Sequence, residues 1–263
     1  DTTTHSVTVV VVGKNDTPTI DGTTTATGAI TEDAVTDSAT GTIVGADFDS
    51  AGTLGDTLTY TVTNATGTYG SLVVDSASGV WTYTLDNESA LTSALTAEQQ
   101  ATDTITTTVT DSLDATVNKD VVITITGAND APVITSSATV STPENGTAAT
   151  TITTTDAESD AITYSIVSGT DAALFSIDST TGVLTFVAAP DYELVSPVAD
   201  DNTYTLTVNA NDGTVDVTQD VTVTVTNVEG SPVFSSAETI TVNENQTTVI
   251  TLTATDDEND SIA

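Results

Sequence analysis

Residues 144–162, ENGTAATTITTTDAESDAI, return 100 positions later as ENQTTVITLTATDDENDSI at 244–262. A chain that repeats itself at a fixed offset is built from units that fold alike, so this self-similarity limits the fold more than any single motif does. The offset holds for Pro132 and Pro232, Glu144 and Glu244, and Asp156 and Asp256. The same punctuation occurs earlier, where VVVVGKNDTPTI at 9–20 matches ITITGANDAPVI at 123–134 and VTVTNVEGSPVF at 223–234. Each copy is an alternating apolar run, a short Asn/Asp/Gly turn, then Pro and a new apolar start. The repeats divide the chain into four pieces. Residues 1–16 read as the last strand of a preceding unit, 17–130 and 131–230 as complete domains, and 231–263 as the first strands of a further one.

Within each unit the apolar residues alternate with period two, as in Tyr204-Thr-Leu-Thr-Val and Val221-Thr-Val-Thr-Val, the mark of strands with one buried face. About a quarter of the residues are Thr, joined by many Val and Ile. These β-branched side chains suit pleated sheet. FSIDSTTGVLTF, Phe175 to Phe186, reads as a hairpin turning at Ser179–Gly182, and Ser89 to Gln100 as a short helical insertion. Several short strands per unit predict an all-β fold of tandem Greek-key β-sandwiches arranged end to end. The longest aliphatic run, Val9 to Val12, is far short of the roughly 20 residues a membrane helix needs, so no membrane insertion is expected in this segment. The sequence contains no Met and reads as a window on a longer or processed polypeptide.

Against 38 acidic residues stand only Lys14 and Lys119, for a net charge of −36. Like charge sets such a chain against nucleic acid and anionic membranes. Ion pairs cannot neutralise the acids, which leaves a solubilising acidic surface or bound divalent cations. There is no Cys, so no disulfide framework exists and metal is the remaining staple.

The placement of the acids favours cations, because they recur as an ordered set. In 131–230 they are Glu144, Asp156-x-Glu158, Asp191-x-Glu193 and Asp212; in 17–130 they are Glu32, Asp47-x-Asp49, Asp86-x-Glu88 and Asp111. The set begins again with Glu244 and Asp256-x-Glu258, and Asn15-Asp16, Asn129-Asp130 and Asn227-x-Glu229 occupy the junctions. A D-x-D or D-x-E pair puts two carboxylates on the same side of an extended segment, which suits Ca²⁺ and its six to eight oxygen ligands. Zn²⁺ prefers His and Cys, and this chain offers only His5.

PENG (143–146), TDAESD (155–160), APDYE (189–193), the Asn-Asp-Gly segment at 211–213 and the NDAP junction resemble the calcium motifs of cadherin-type repeats, in the version found in giant bacterial adhesins. Residues 17–130, with GVWTYTLDN, resemble the related VCBS-type repeat. The resemblance covers essentially the whole chain and implies cadherin/Ig-like sandwiches with calcium between consecutive domains. It implies that the first junction uses Glu32, Asp86, Glu88, Asn129, Asp130, Asp156, Glu158 and Asp212. The second would use Glu144, Asp191, Glu193, Asn227, Glu229, Asp256 and Glu258. NVEGSP has Glu where an Asp-rich linker is usual, which implies fewer ions there. Asp86 lies two residues nearer Gly79 than Asp191 lies to Gly182, which makes the first set the less regular.

The leading expectation is mechanical. Calcium at each junction stiffens neighbouring repeats of one polypeptide into an extracellular stalk on a bacterial cell surface, which projects a distal binding domain for adhesion or biofilm attachment. The alternatives are a filament or surface-layer subunit whose partial end units join identical subunits by strand complementation, and a polysaccharide-binding module. Trp81, the only Trp, alternates like a core residue, which weakens the last. An enzyme is not expected, since carboxylate pairs repeated in every unit argue for structure.

Overall fold

The computed structural model describes residues 4–9, 13–48, 57–194, 202–236, 241, 243–245, 247 and 253–255. They fall into two compact bodies, residues 1–130 and 131–263.

In the first body a four-stranded sheet has the order β2 (Thr27–Thr31), β9 (Thr116–Thr126), β8 (Gln100–Thr110) and β5 (Thr59–Val62). A three-stranded sheet has the order β3 (Ser38–Thr42), β7 (Val80–Leu85) and β6 (Gly70–Val74), and β1 (Thr19–Ile20) pairs with β4 (Gly45–Ala46). Strand β2 runs parallel to β9, and the other pairings are antiparallel. The period-two pattern sets the faces. Along β8, Asp103, Ile105, Thr107 and Val109 point inward, while Thr102, Thr104 and Thr106 face solvent. The core gathers Ile43, Leu72, Trp81, Tyr83, Ile123 and Ile125 among others. Trp81 is fully buried, and its Nε1–H donates to the Thr25 carbonyl at 2.7 Å.

The second body repeats this plan. Its four-stranded sheet is β11 (Thr139–Pro143), β18 (Asp216–Thr226), β17 (Thr203–Asn211) and β14 (Thr163–Ser168), again with a parallel first pair. The second sheet is β12 (Ala148–Thr151), β16 (Val183–Phe186) and β15 (Phe175–Ile177), and β10 (Val133–Ile134) pairs with β13 (Thr154–Thr155). That last pairing recurs as β19 (Val233–Phe234) with β20 (Ala254–Thr255). Val133 faces Thr155 and Val233 faces Thr255, so the offset of 100 is kept to the residue. The hairpin from β15 to β16 turns where the Phe175–Phe186 pattern places it. Asp178 Oδ1 accepts the N–H groups of Thr180 and Thr181, and Gly182 closes the turn at φ 71°, a left-handed conformation that favours Gly.

A buried polar pair distinguishes the first core from the second. In the first body Tyr83 donates its hydroxyl to the buried Asp103 at 2.5 Å, and Asp103 also accepts the N–H groups of Thr68 and Tyr69. Burial and the Asp103 carboxylate push the Tyr83 hydroxyl far above its ordinary pKa. In the second body the corresponding pair is Phe186 and Tyr204, edge-on at 5.3 Å. An aromatic contact there replaces a buried polar one.

One expectation is corrected. Ser89–Gln100 is a series of hydrogen-bonded turns and not a helix, anchored by Thr92 and Ser93 N–H groups on the Ser89 carbonyl. It reads Ser-Ala-Leu-Thr twice over, and of its two Leu only Leu95 is buried, too narrow an apolar face to hold a helix. Residues 4–9 and 13–16 are in no strand, and residues 10–12 lie outside the described residues.

Candidate metal centre

The loop after β16 carries the densest constellation of oxygens. Pro190 ends the approach, and the Asp191 Oδ1 accepts the N–H groups of Glu193 (3.1 Å) and Leu194 (2.9 Å), an Asx-type turn. This curl turns Asp191 and Glu193 toward Glu144, which follows β11. One carboxylate oxygen from each of the three lies within 4.8 Å of the others. Glu144 is buried, 4% exposed. Its Oε2 accepts the Tyr192 N–H at 2.7 Å and its Oε1 the Val228 N–H at 2.9 Å, so it is fixed between the acidic loop and the end of β18. Asn227 adds its amide group, with Nδ2 donating to Glu193 Oε1 at 3.1 Å.

Nothing cationic is available nearby. Residues 131–263 hold 20 carboxylic side chains and no Lys, Arg or His. At 4 Å two carboxylates repel by about 1 kcal/mol in bulk water and about 4 kcal/mol at the effective dielectric of a protein surface. Hard oxygens, a carboxylate majority and one amide suit Ca²⁺. They do not suit Zn²⁺.

One residue not singled out in the sequence also acts on this loop. Asn202, 7% exposed, donates from Nδ2 to the Tyr192 carbonyl at 2.9 Å. No motif marks it; only the folded chain brings it to Tyr192.

In the first body Glu32 takes the place of Glu144. It is 2% exposed, and its Oε2 accepts the Ala128 N–H at 3.2 Å, the counterpart of the Val228 bond. Asp86 and Glu88 do not join it in such a group among the described residues. Both are exposed, and Asp86 is tied by its N–H to the Tyr69 carbonyl at the end of β7. The missing two residues are the physical reason. In the second body Val187–Pro190 carry the pair away from the strand end, and the first body has no such spacer.

Asn15 donates from Nδ2 to Asp111 Oδ2 at 3.0 Å, bringing a junction residue onto the late Asp of the same body. Asp47 is buried nearby in sequence terms to β4, and Asp16 is exposed. Asn129 donates to the Asp130 carbonyl. Asp156 Oδ1 accepts the Asp160 N–H, its Oδ2 is shielded without a hydrogen bond, and Glu158 is half-buried. Asp212 Oδ1 accepts the Thr214 and Val215 N–H groups. Glu229 and Glu244 are exposed. Asp49, Asp256 and Glu258 lie outside the described residues.

Several turn carboxylates are held below the ordinary carboxyl range. At Asp111 burial pushes upward, and Asn15 with the Ala115 and Leu113 N–H groups outweighs it. Asp75 is lowered by the Ser78 hydroxyl and N–H, Asp178 by the Thr181 and Thr180 N–H groups, and Asp216 by Asn209 and Asn211. A depressed carboxyl stabilises the fold above its unfolded value of about 4 and loses that contribution as pH falls through the folded value. NMR titration is therefore expected to place the midpoints of these four side chains below about 4. Melting in chelator should drop in the same acid range; midpoints at or above 4 would remove the turns as its cause.

Residues 15–127 match the model of the bacterial cadherin-like domain, and residues 137–228 that of the cadherin domain. The chain therefore carries a bacterial cadherin-like domain and a cadherin domain in tandem. Over 103 residues it is 41% identical to mouse Protocadherin Fat 4, a match spanning 36% of this chain and 2% of that protein. Among solved structures, Protocadherin gammaB7 EC3-6 superposes with a TM-score of 0.51 at 17% identity, covering 91% of this chain and 61% of that one. Human Protocadherin-24 EC1-2 gives 0.50 at 19% identity, covering 81% and 100%. These likenesses show the fold: cadherin-like β-sandwiches in tandem. Among the described residues no helix is long and apolar enough to cross a membrane.

Proposed function

We propose that this chain is a calcium-stiffened extracellular segment of a bacterial surface adhesin. Its cadherin-like repeats, the first of VCBS type, carry a distal binding domain away from the cell for adhesion or biofilm attachment. Cations held where one repeat meets the next set the angle between neighbours. The observation that carries this reading is the convergence of Glu144, Asp191 and Glu193 to within 4.8 Å in a body without a cationic side chain. Three carboxylates gathered so closely are unfavourable alone and favourable around a divalent ion. Asp256 and Glu258 of the following repeat complete that set in this reading, with Asn227 and Glu229 from the junction. Extracellular modules of this kind bind calcium at about 10⁻⁴ to 10⁻³ M, so the segment is stiff outside a cell.

Small-angle scattering with calcium and with chelator tests the proposal. The expected result is a longer, better-defined particle in calcium and a broader distribution of dimensions without it. Superimposable scattering curves in the two buffers would leave the acids as a solubilising surface. The polysaccharide reading loses its best platform, since Trp81 is fully buried.

A further inference from the structure

The Tyr192 peptide, which sits between Asp191 and Glu193, is gripped from both sides. Glu144 Oε2 accepts its own N–H at 2.7 Å, and Asn202 Nδ2 donates to its carbonyl at 2.9 Å. Asn202 is itself anchored at the start of β17. Its carbonyl accepts the Val225 N–H at 2.9 Å, and its backbone stands at φ 55°, a left-handed conformation that Asn tolerates better than most residues. The acidic loop is thus tied through one side chain to the long β17–β18 pair.

Asn202 is buried, and its Oδ1 is shielded from solvent with no hydrogen bond among the described residues. A buried acceptor without a partner is destabilising. Stability alone therefore does not account for an Asn at this place, whereas its Nδ2 contact serves the loop directly.

We propose that Asn202 is a positioning residue for the cation site: it holds the Asp191–Glu193 loop in its liganding conformation through the Tyr192 carbonyl while Glu144 holds the same residue's N–H. The inference rests on the calcium reading above. Without the grip, the loop has to be ordered when the ion binds, and the ordering is subtracted from affinity. Asn202 touches no ligand atom in this role and acts only through the backbone between two ligands.

The test is a calcium titration of the whole chain, followed through the backbone amide resonances of Tyr192 and Glu193. It is run well below the melting temperature in chelator. Asn202→Gly keeps the left-handed backbone accessible and removes the side-chain amide, donor and unpartnered acceptor together, and Asn202→Ala removes the amide and disfavours the backbone as well. The expected result is a calcium midpoint about five- to tenfold higher in Asn202→Gly, the loss that one hydrogen bond represents. Its melting in chelator should stay close to that of the parent chain. A midpoint unchanged in both variants, with only the melting lowered, overturns the positioning role and leaves Asn202 a structural residue. Wild-type amides that ignore calcium altogether sink the cation reading itself, a different and separately visible failure.

Discussion

Replacing Glu144 by Gln is expected to remove most of the thermal stabilisation that calcium gives to the second body. The substitution keeps size and shape, so the core under β11 is undisturbed. It removes the charge that a cation would meet and one of the two strong acceptors, which now hold the Tyr192 and Val228 N–H groups. Hydrogen bonds to a charged group contribute about 1.5–3 kcal/mol each. At a hundredfold excess of calcium over its dissociation constant, binding to the folded state alone adds about 2.7 kcal/mol. For a domain of this size that is about 10 °C or more in melting temperature. The wild-type chain should therefore melt about 10 °C higher in calcium than in chelator, and the Glu144→Gln chain should show little of that difference. Without calcium the variant gains something back, because one of three mutually repelling carboxylates is gone. Differential scanning calorimetry in the two buffers separates these terms. A calcium-induced rise as large in Glu144→Gln as in the parent would take Glu144 out of the site.

Repetition made the architecture readable in advance. The offset of 100 carried through to the register of individual pairs, as β10–β13 and β19–β20 show. Alternation in β17 and β18 marked the inward residues, since a period of two leaves only the choice of face. The grouping of Glu144 with Asp191-x-Glu193 was anticipated only through the resemblance of their motifs to cadherin-type repeats, since no local spacing links the two segments. What was hidden depends on contacts between distant residues with no periodic signature. The Tyr83–Asp103 bond, the Trp81 bond to Thr25 and the Asn202 grip on Tyr192 each join positions that nothing in the sequence links. The divergence of Asp86 and Glu88 from Glu32 was foreshadowed by a two-residue shortening. The consequence, a pair left at the strand end and tied to Tyr69, needed the fold. The supposed helix at Ser89–Gln100 failed because Leu95 alone is buried while Leu91, one turn earlier, is exposed, and a single anchor does not make the apolar stripe by which a helix packs.

The second large effect concerns Trp81 and the glycine beneath it. Trp81→Ala should cost about 3–5 kcal/mol, the usual range for emptying an aromatic core position. That is a large part of the roughly 5–15 kcal/mol holding a domain folded. Gly41→Ala should be costly for the opposite reason. A Cβ there would stand 2.5 Å from Trp81 Cζ2 and 2.6 Å from the Thr25 carbonyl oxygen. The indole is held where it is by its Nε1–H bond to that same carbonyl. Overpacking of this kind costs about 1–3 kcal/mol. Trp81→Phe alone should cost about as much, by leaving a gap and depriving the Thr25 carbonyl of its donor. The two small changes made together should cost less than their sum, because the smaller ring leaves the space that the new methyl group needs. Urea unfolding of the parent, both single variants and the double variant gives the coupling. Strict additivity would mean that Gly41 is retained for its backbone and not for the ring above it.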